Sequence, residues 1–332
     1  MHDASFTVLV LTLGLVFEFV NGFHDAANAV ATVIATRVLS PLKAVGMAGL
    51  LNFVGAVSGT AVATTVGKGL VDPSAITLKT VAAGLLAAIL WDLTTWFYGI
   101  PTSSSHALIF GVLGAGVATN GFGVIIIGGF TKVVLGIVYS PLLGLLLAAA
   151  LVVGLYWLVI HRPPARVSAA FGRLQLLSSA YMAFSHGSND GQKTMGIMAL
   201  ALFTSGALGP SFYVPLWVIV AAAVAMAAGT AAGGWRIIRT LGFRLTKLDP
   251  LHGFAAETAA ATVIEVATRL GVPISTTHAI NGAILGVGTV KQRKAVRWGL
   301  ARTIVLAWIL TLPASSLLGW LLMKLATAVF GL

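Results

Sequence analysis

Pro101-Thr-Ser-Ser-Ser-His106 recurs 172 residues later as Pro273-Ile-Ser-Thr-Thr-His278. The match runs on, Ala107 with Ala279, Leu113 with Leu285, Gly114 with Gly286 and Gly116 with Gly288. A second pair lies upstream of each copy. Gly22-Phe-His-Asp25-Ala-Ala-Asn28 can be laid on Gly187-Ser-Asn-Asp190-Gly-Gln-Lys193 at an offset of 165. Two motifs in the same order at nearly the same spacing divide the chain into homologous halves. These are 1–162 and 163–332, with 161–173, from His161-Arg-Pro-Pro to Arg173, as a short basic linker.

Both halves are made for lipid. Hydrophobic residues are 58% of the chain and charged residues 9%, against about 25% charged in a soluble domain, and the mean hydropathy is +0.98. Spans need roughly 20 apolar residues, and about ten such stretches fit, leaving no room for a soluble domain. The apolar start to Phe23 lacks a basic leader and a small-residue cleavage site, so it is expected as the first span. With no cysteine there is no disulfide, thiol catalysis or cysteine-held metal. The net charge of +11 sits in short loops, as in cytoplasmic loops of membrane proteins, and does not imply nucleic acid. Small-xxx-small pairs at Gly55/Gly59, Gly229/Gly233 and Gly282/Gly286 suit close helix packing.

Loop charge orients the halves. Arg37 to Lys43 is basic while its counterpart, Thr204 to Ser211, is uncharged. Lys68 to Lys79 is mixed while its counterpart holds Arg236, Arg239, Arg244 and Lys247. The loop at Asn120 is uncharged while its counterpart holds Lys291, Arg293, Lys294 and Arg297. The basic side swaps each time, so the halves have opposite topologies. The expectation is an all-α polytopic membrane protein of 10–12 transmembrane helices in two inverted repeats, the architecture of secondary transporters. Five crossings fit each half, and 124–160 and 298–331, with mid-segment Pro141 and Pro313, leave room for more.

Most of the nine acids are expected at loops or ends. Asp25 and Asp190 stand apart, each inside an apolar region at an equivalent place. A carboxylate at bilayer depth costs several kcal/mol and marks an ion or proton pathway; the plainer role is a capping Asp. Asn21, Asn28, Asn189 and Gln192 add neutral oxygens, and Gly22, Gly187 and Gly191 are expected to let the helices break and expose carbonyls. Lys193 either pairs with Asp190 or faces an anion. Ser103, Ser104, Ser105 and Ser275, Thr276, Thr277 each follow a proline, as at a helix start. Two such N-termini meeting from opposite halves would cradle an oxyanion with amides and hydroxyls; plain capping is the alternative. His24 and His186, beside the acids, are candidates for proton or metal chemistry, while His106 and His278 suit local hydrogen bonds. There is no Walker A loop and no HExxH pair, so the chain is expected to be a carrier and not an enzyme.

These motifs resemble the inorganic phosphate transporter (PiT) family. Gly22-Phe-His-Asp-Ala-Ala-Asn-Ala29 and Phe184-Ser-His-Gly-Ser-Asn-Asp-Gly-Gln-Lys-Thr-Met-Gly196 look like the paired signature of its low-affinity bacterial Pit permease branch. Pro101 to His106 and Pro273 to His278 match its hairpin motifs, and the similarity covers essentially the whole chain. The resemblance implies phosphate symport, helical hairpins, a transport domain moving against a scaffold, a homodimer and a bacterial inner membrane, with no cofactor. Carried over by position, Asp25, Asn28, Asn189 and Asp190 handle the coupling ion. Ser104, Ser105, Thr276, Thr277 and Gln192 surround phosphate, and Glu257 matches an acid that members need. Its repeat counterpart is Leu85. His24 and Lys193 replace asparagines of the family pattern. They fit the branch regarded as H+-coupled carriers of phosphate as a neutral complex with Mg2+ or another divalent metal. Na+ coupling, or sulfate as the oxyanion, stays open.

Overall fold

The computed structural model describes residues 2–330; Met1 and 331–332, the outer ends of the two expected halves, lie outside the described residues. Twelve α-helices are found among them, with no strand beyond one isolated bridge, Val71 with Ile125. They are α1 (His2–Ala35), α2 (Pro41–Ala56), α3 (Ala61–Gly69), α4 (Leu78–Tyr98), α5 (Ser104–Asn120), α6 (Ile127–Val159), α7 (Pro164–Thr204), α8 (Leu216–Ala232), α9 (Trp235–Arg239, continued by a π turn over Thr240–Arg244), α10 (Pro250–Arg269), α11 (Thr276–Gln292) and α12 (Trp298–Phe330). The repeat seen in the sequence reappears in the elements. α5 and α11 are both 17 residues long and start 172 residues apart, and α6 and α12 are both 33 residues long. Packing is reciprocal as well. α1 lies on α8 as α7 lies on α2, α6 on α11 as α12 on α5, and α1 on α4 as α7 on α10.

Local chemistry sets the helix ends. Pro41, Pro164 and Pro250 occupy first turns, where the missing N–H costs nothing. Ser103 and Ser275 are N-caps whose hydroxyls accept from the backbone N–H of His106 and His278, at 3.3 and 3.1 Å. Gly99 and Gly271, at φ +65° in both, turn the chain out of α4 and α10, so each half has a hairpin whose second helix begins inside the molecule.

Three expectations need correction. Gly22, Gly187 and Gly191 do not break their helices, since α1 and α7 are continuous through them. They are packing glycines. A methyl group on Gly22 would strike the Met226 carbonyl, one on Gly187 the Asn52 backbone and one on Gly191 the Ala56 side chain. The breaks lie elsewhere, at the 69° bend between α2 and α3 and the 55° bend between α8 and α9. The linker shrinks to 160–163, because Pro164 starts α7 and 164–173 are helical. Pro141 and Pro313 interrupt nothing, and α6 and α12 are single helices. By length and composition four described helices suit a membrane span, or six if each bent pair is one. α5 and α11 are too short, and α7 and α10 carry the buried polar residues described below.

The small-residue pairs work as close contacts. Gly55 meets the Phe184 carbonyl and Gly229 the Phe19 carbonyl, equivalent places 165 residues apart. Gly282 and Gly286 receive the Pro141 and Leu145 carbonyls of α6. Gly59 and Gly233 are not packed this way: Gly59 faces Gln192, and Gly233 lies beyond the end of α8 at φ +75°.

Candidate functional site

Unbroken helices carry the two acidic motifs past the first turns of α5 and α11. Asp25, 2% exposed, accepts from Ser104 Oγ at 3.3 Å on Oδ1 and from Thr277 Oγ1 at 3.3 Å on Oδ2, and His24 Nδ1 lies 2.6 Å from Oδ1. Asp190 is fully buried. It accepts from Ser105 Oγ at 3.4 Å and Thr276 Oγ1 at 2.7 Å, pairs with Lys193, and has His186 Nε2 at 3.3 Å. Lys193 Nζ also donates to Ser105 Oγ and to the Ile274 carbonyl, both at 2.6 Å. Asn28 Nδ2 donates to Thr276 and Thr277, at 3.2 and 2.9 Å. One hydroxyl from each triplet therefore reaches each carboxylate, and the halves share a single polar centre.

That centre offers both signs of charge. The start of a helix presents free N–H groups and a partial positive charge, here twice, with the Lys193 ammonium beside them. Ligand atoms of Asp25, His186 and Asp190 lie within 4.8 Å of one another, close enough to hold one metal ion. Lys193 thus pairs with Asp190, the first of its two alternatives, and stands beside the first turn of α5 through Ser105.

The remaining expected residues are placed as follows. Ser103 and Ser275 are caps, with their hydroxyls turned to their own helices. Asn189 is drawn to the second hairpin, donating to Thr268 Oγ1 at 2.8 Å. Gln192 lies away from the hydroxyl triplets. Its Oε1 accepts from Val62 N at 2.9 Å, and it lines a cavity of about 370 Å³ with Ser58, Thr60, Glu265 and Thr268. Glu257 forms a separate cluster, accepting from Thr32 at 2.5 Å, Ser178 at 2.5 Å and Gln175 at 3.1 Å. His106 and His278 meet edge to face at 4.7 Å, and His278 stacks on Trp308 at 3.9 Å. Neither ring nitrogen of His106 has a hydrogen-bond partner, so the local hydrogen bond expected there is missing.

Two buried acids, Glu18 and Asp92, escaped the sequence reading, and Glu257 was reached there only through the family resemblance. Glu18, Asp92 and Glu257 are fully buried within helices, so the expectation that most acids lie at loops or ends fails. The available signal was a lone carboxylate inside an apolar run. Asp92 faces His24, Asp25 and Ser104. Thr95 and Asn52 hold the two site histidines in place. Thr95 Oγ1 is 3.0 Å from His24 Nε2, and Asn52 Oδ1 is 3.0 Å from His186 Nδ1. Fixing one ring nitrogen sets what the other can offer.

Comparison with known proteins agrees with this picture. A phosphate transporter family model matches residues 21–319. A probable low-affinity inorganic phosphate transporter of Rhizobium meliloti (strain 1021) is 48% identical over 317 residues, covering 95% of each chain. One of the same description from Bacillus subtilis (strain 168) is 41% identical over 315 residues, covering 94% of this chain and 95% of the other. A solved structure described as a sodium-dependent phosphate transporter superposes with a TM-score of 0.89 at 24% identity, over 98% of this chain and 100% of the other, a likeness in fold. With that match across nearly its whole length, the chain belongs to the phosphate transporter family.

Proposed function

We propose that this protein is a secondary active symporter that imports inorganic phosphate with a cation, H+ being the coupling ion, as a homodimer in a bacterial inner membrane. One observation carries the reading: the first turns of α5 and α11 bring hydroxyls from both halves onto Asp25 and Asp190 beside Lys193. Phosphate oxygens would take the helix N–H groups, the hydroxyls of Ser104, Ser105, Thr276 and Thr277, and Lys193 Nζ as donors. A proton left on the phosphate would need an acceptor, which a hydroxyl-and-amide site for sulfate does not require, and Asp25 or Asp190 supplies it. Reciprocal packing that joins two helix starts at one centre is what two halves of opposite topology would produce, and it suits a site reached alternately from either side.

Proton coupling is supported by the nitrogen groups on both acids, His24 on Asp25, and His186 and Lys193 on Asp190. They take carboxylate faces that a Na+ ligand set would use. A second reading rests on the Asp25, His186 and Asp190 cluster, whose atoms could hold Na+ or a divalent metal travelling with phosphate.

Uptake of labelled phosphate into proteoliposomes separates these readings. An inward H+ gradient and an inward Na+ gradient are imposed in turn, with and without Mg2+ and with excess sulfate. Accumulation under H+ that sulfate leaves untouched is the expected result. Accumulation under Na+ alone transfers both acids to sodium binding, and competition by sulfate refutes phosphate selectivity.

A further inference from the structure

Glu18 is fully buried on α1, two helical turns before Asp25, and nothing above uses it. Its Oε2 accepts from Thr194 and from Asn21 Nδ2, the latter at 3.3 Å. Its Oε1 is buried with no hydrogen-bond partner, and so is Asn21 Oδ1. Among the described residues no Lys, Arg or His nitrogen lies within ion-pair distance of it. Asn21 stands one turn before Asp25 and Thr194 one turn after Asp190, so the three residues line the seam between α1 and α7, next to the main centre.

Packing does not require polar groups here. The positions equivalent to Glu18 and Thr194 in the other half are Ala183 and Ala29, both fully buried without trouble. A lone buried carboxylate is costly unless something neutralises it. Two oxygens with free lone pairs, one of them anionic, are the donor set of a small hard cation.

We propose that Glu18, Asn21 and Thr194 form a second cation site, separate from the Asp25 and Asp190 centre, that takes H+ or Na+ on the way to it. The far end of α1 leads into the basic loop Arg37 to Lys43, so Glu18 belongs to the outer half of the membrane, where an incoming cation arrives first. The inference rests on the symport reading. It adds that part of the driving force is taken up about 10 Å away from phosphate, two helical turns along α1.

The test compares wild type with Glu18→Gln, which keeps the acceptor for Thr194 and Asn21 and removes the charge. Proteoliposomes report gradient-driven accumulation and, separately, exchange of labelled for unlabelled phosphate with no gradient. The variant is expected to lower the ratio of accumulation to exchange by about ten-fold or more. The gradient, H+ or Na+, that drives wild type names the cation. An unchanged ratio overturns the proposal. So does loss of both activities in a protein that melts and elutes as wild type does, since Glu18 then serves phosphate directly. If Glu18→Gln does not fold, Glu18→Asp is expected to raise the half-saturating cation concentration about ten-fold at unchanged maximal rate, and an unchanged half-saturation overturns the proposal. A wild type that moves no phosphate breaks the symport reading instead. Binding of Na+ and uptake of H+ by the detergent-solubilised protein then decide, with one cation fewer expected in Glu18→Gln and an equal count refuting the site.

Discussion

Asp25 and Asp190 occupy equivalent places on α1 and α7, yet their surroundings differ. The position of Lys193 beside Asp190 is held by Asn28 in the first half, that of His186 by Asn21, and that of Asn189 by His24. The hairpin ends differ in the same way. Where α4 ends, Arg236 covers the rings of Trp96 and Phe97, at 5.2 and 4.8 Å, and Phe23 packs on Trp96. The equivalent end of α10 carries Thr268 and Arg269 beside the 370 Å³ cavity. The backbone repeats because backbone packing needs only small residues at the crossings. The side chains diverge where the shared centre lies, and under the proposed function one centre needs one ammonium and not two.

Making the halves alike is the hardest test of that difference. Lys193→Asn copies the first half onto the second and leaves Asp190 buried without its ammonium. It is expected to reduce phosphate uptake about 100-fold and to cost roughly 3–5 kcal/mol of stability, read as a lower melting temperature in detergent. A stable variant with normal uptake would show that the asymmetry has no role. The backbone side of the comparison is sharpened by Gly22→Ala and Gly187→Ala, whose methyl groups strike neighbouring backbone. Each should destabilise by about 1–3 kcal/mol, and by similar amounts; a large disparity would break the claim that packing follows the repeat. Ser103→Ala and Ser275→Ala should each cost about 1 kcal/mol as lost caps and change the phosphate KM little. A strong KM effect would return these two hydroxyls to the substrate.

The smallest effect belongs to Asp249, at the N-terminus of α10 and outside the spans. Burial alone would push its carboxyl up, but hydrogen bonds from His252 and Lys291 and their charges outweigh it, and the net shift is down. A depressed folded value means that the stabilisation is present above the ordinary carboxylate range and fades as pH falls through the folded value. Asp249 is 46% exposed, so screening holds the contribution to about 0.3–1 kcal/mol. Asp249→Asn should lower stability by about 0.3–1 kcal/mol near neutral pH and converge on wild type in acid, flattening the acid side of the melting profile.

Much of this was written in the chain. Pro101 to His106 against Pro273 to His278 gave the repeat and the helix starts, because proline followed by hydroxyl residues has few other uses in lipid, while the hairpins came from the family resemblance. Asp25, Asp190 and Lys193 were legible because charge at bilayer depth is rarely idle. The glycines beside them misled. A glycine permits both a break and a close contact, and only the partner helix, unknown from sequence, decides between them. Gln192 and Asn189 were misplaced for a related reason: neighbours of a site residue on a helix point about 100° away, here toward α3 and α10. Glu18 and Asp92 passed unremarked because neither recurs in the other half, and the repeat was the signal being followed.

The central claim is that both carboxylates serve one transport event. The most direct measurement is driven phosphate accumulation by Asp25→Asn and Asp190→Asn in proteoliposomes, with folding and dimerisation checked by melting and elution. The account predicts that each variant stays folded and dimeric and loses accumulation by about 100-fold or more. Accumulation at the wild-type level in both would contradict it and remove Asp25 and Asp190 from the transport site.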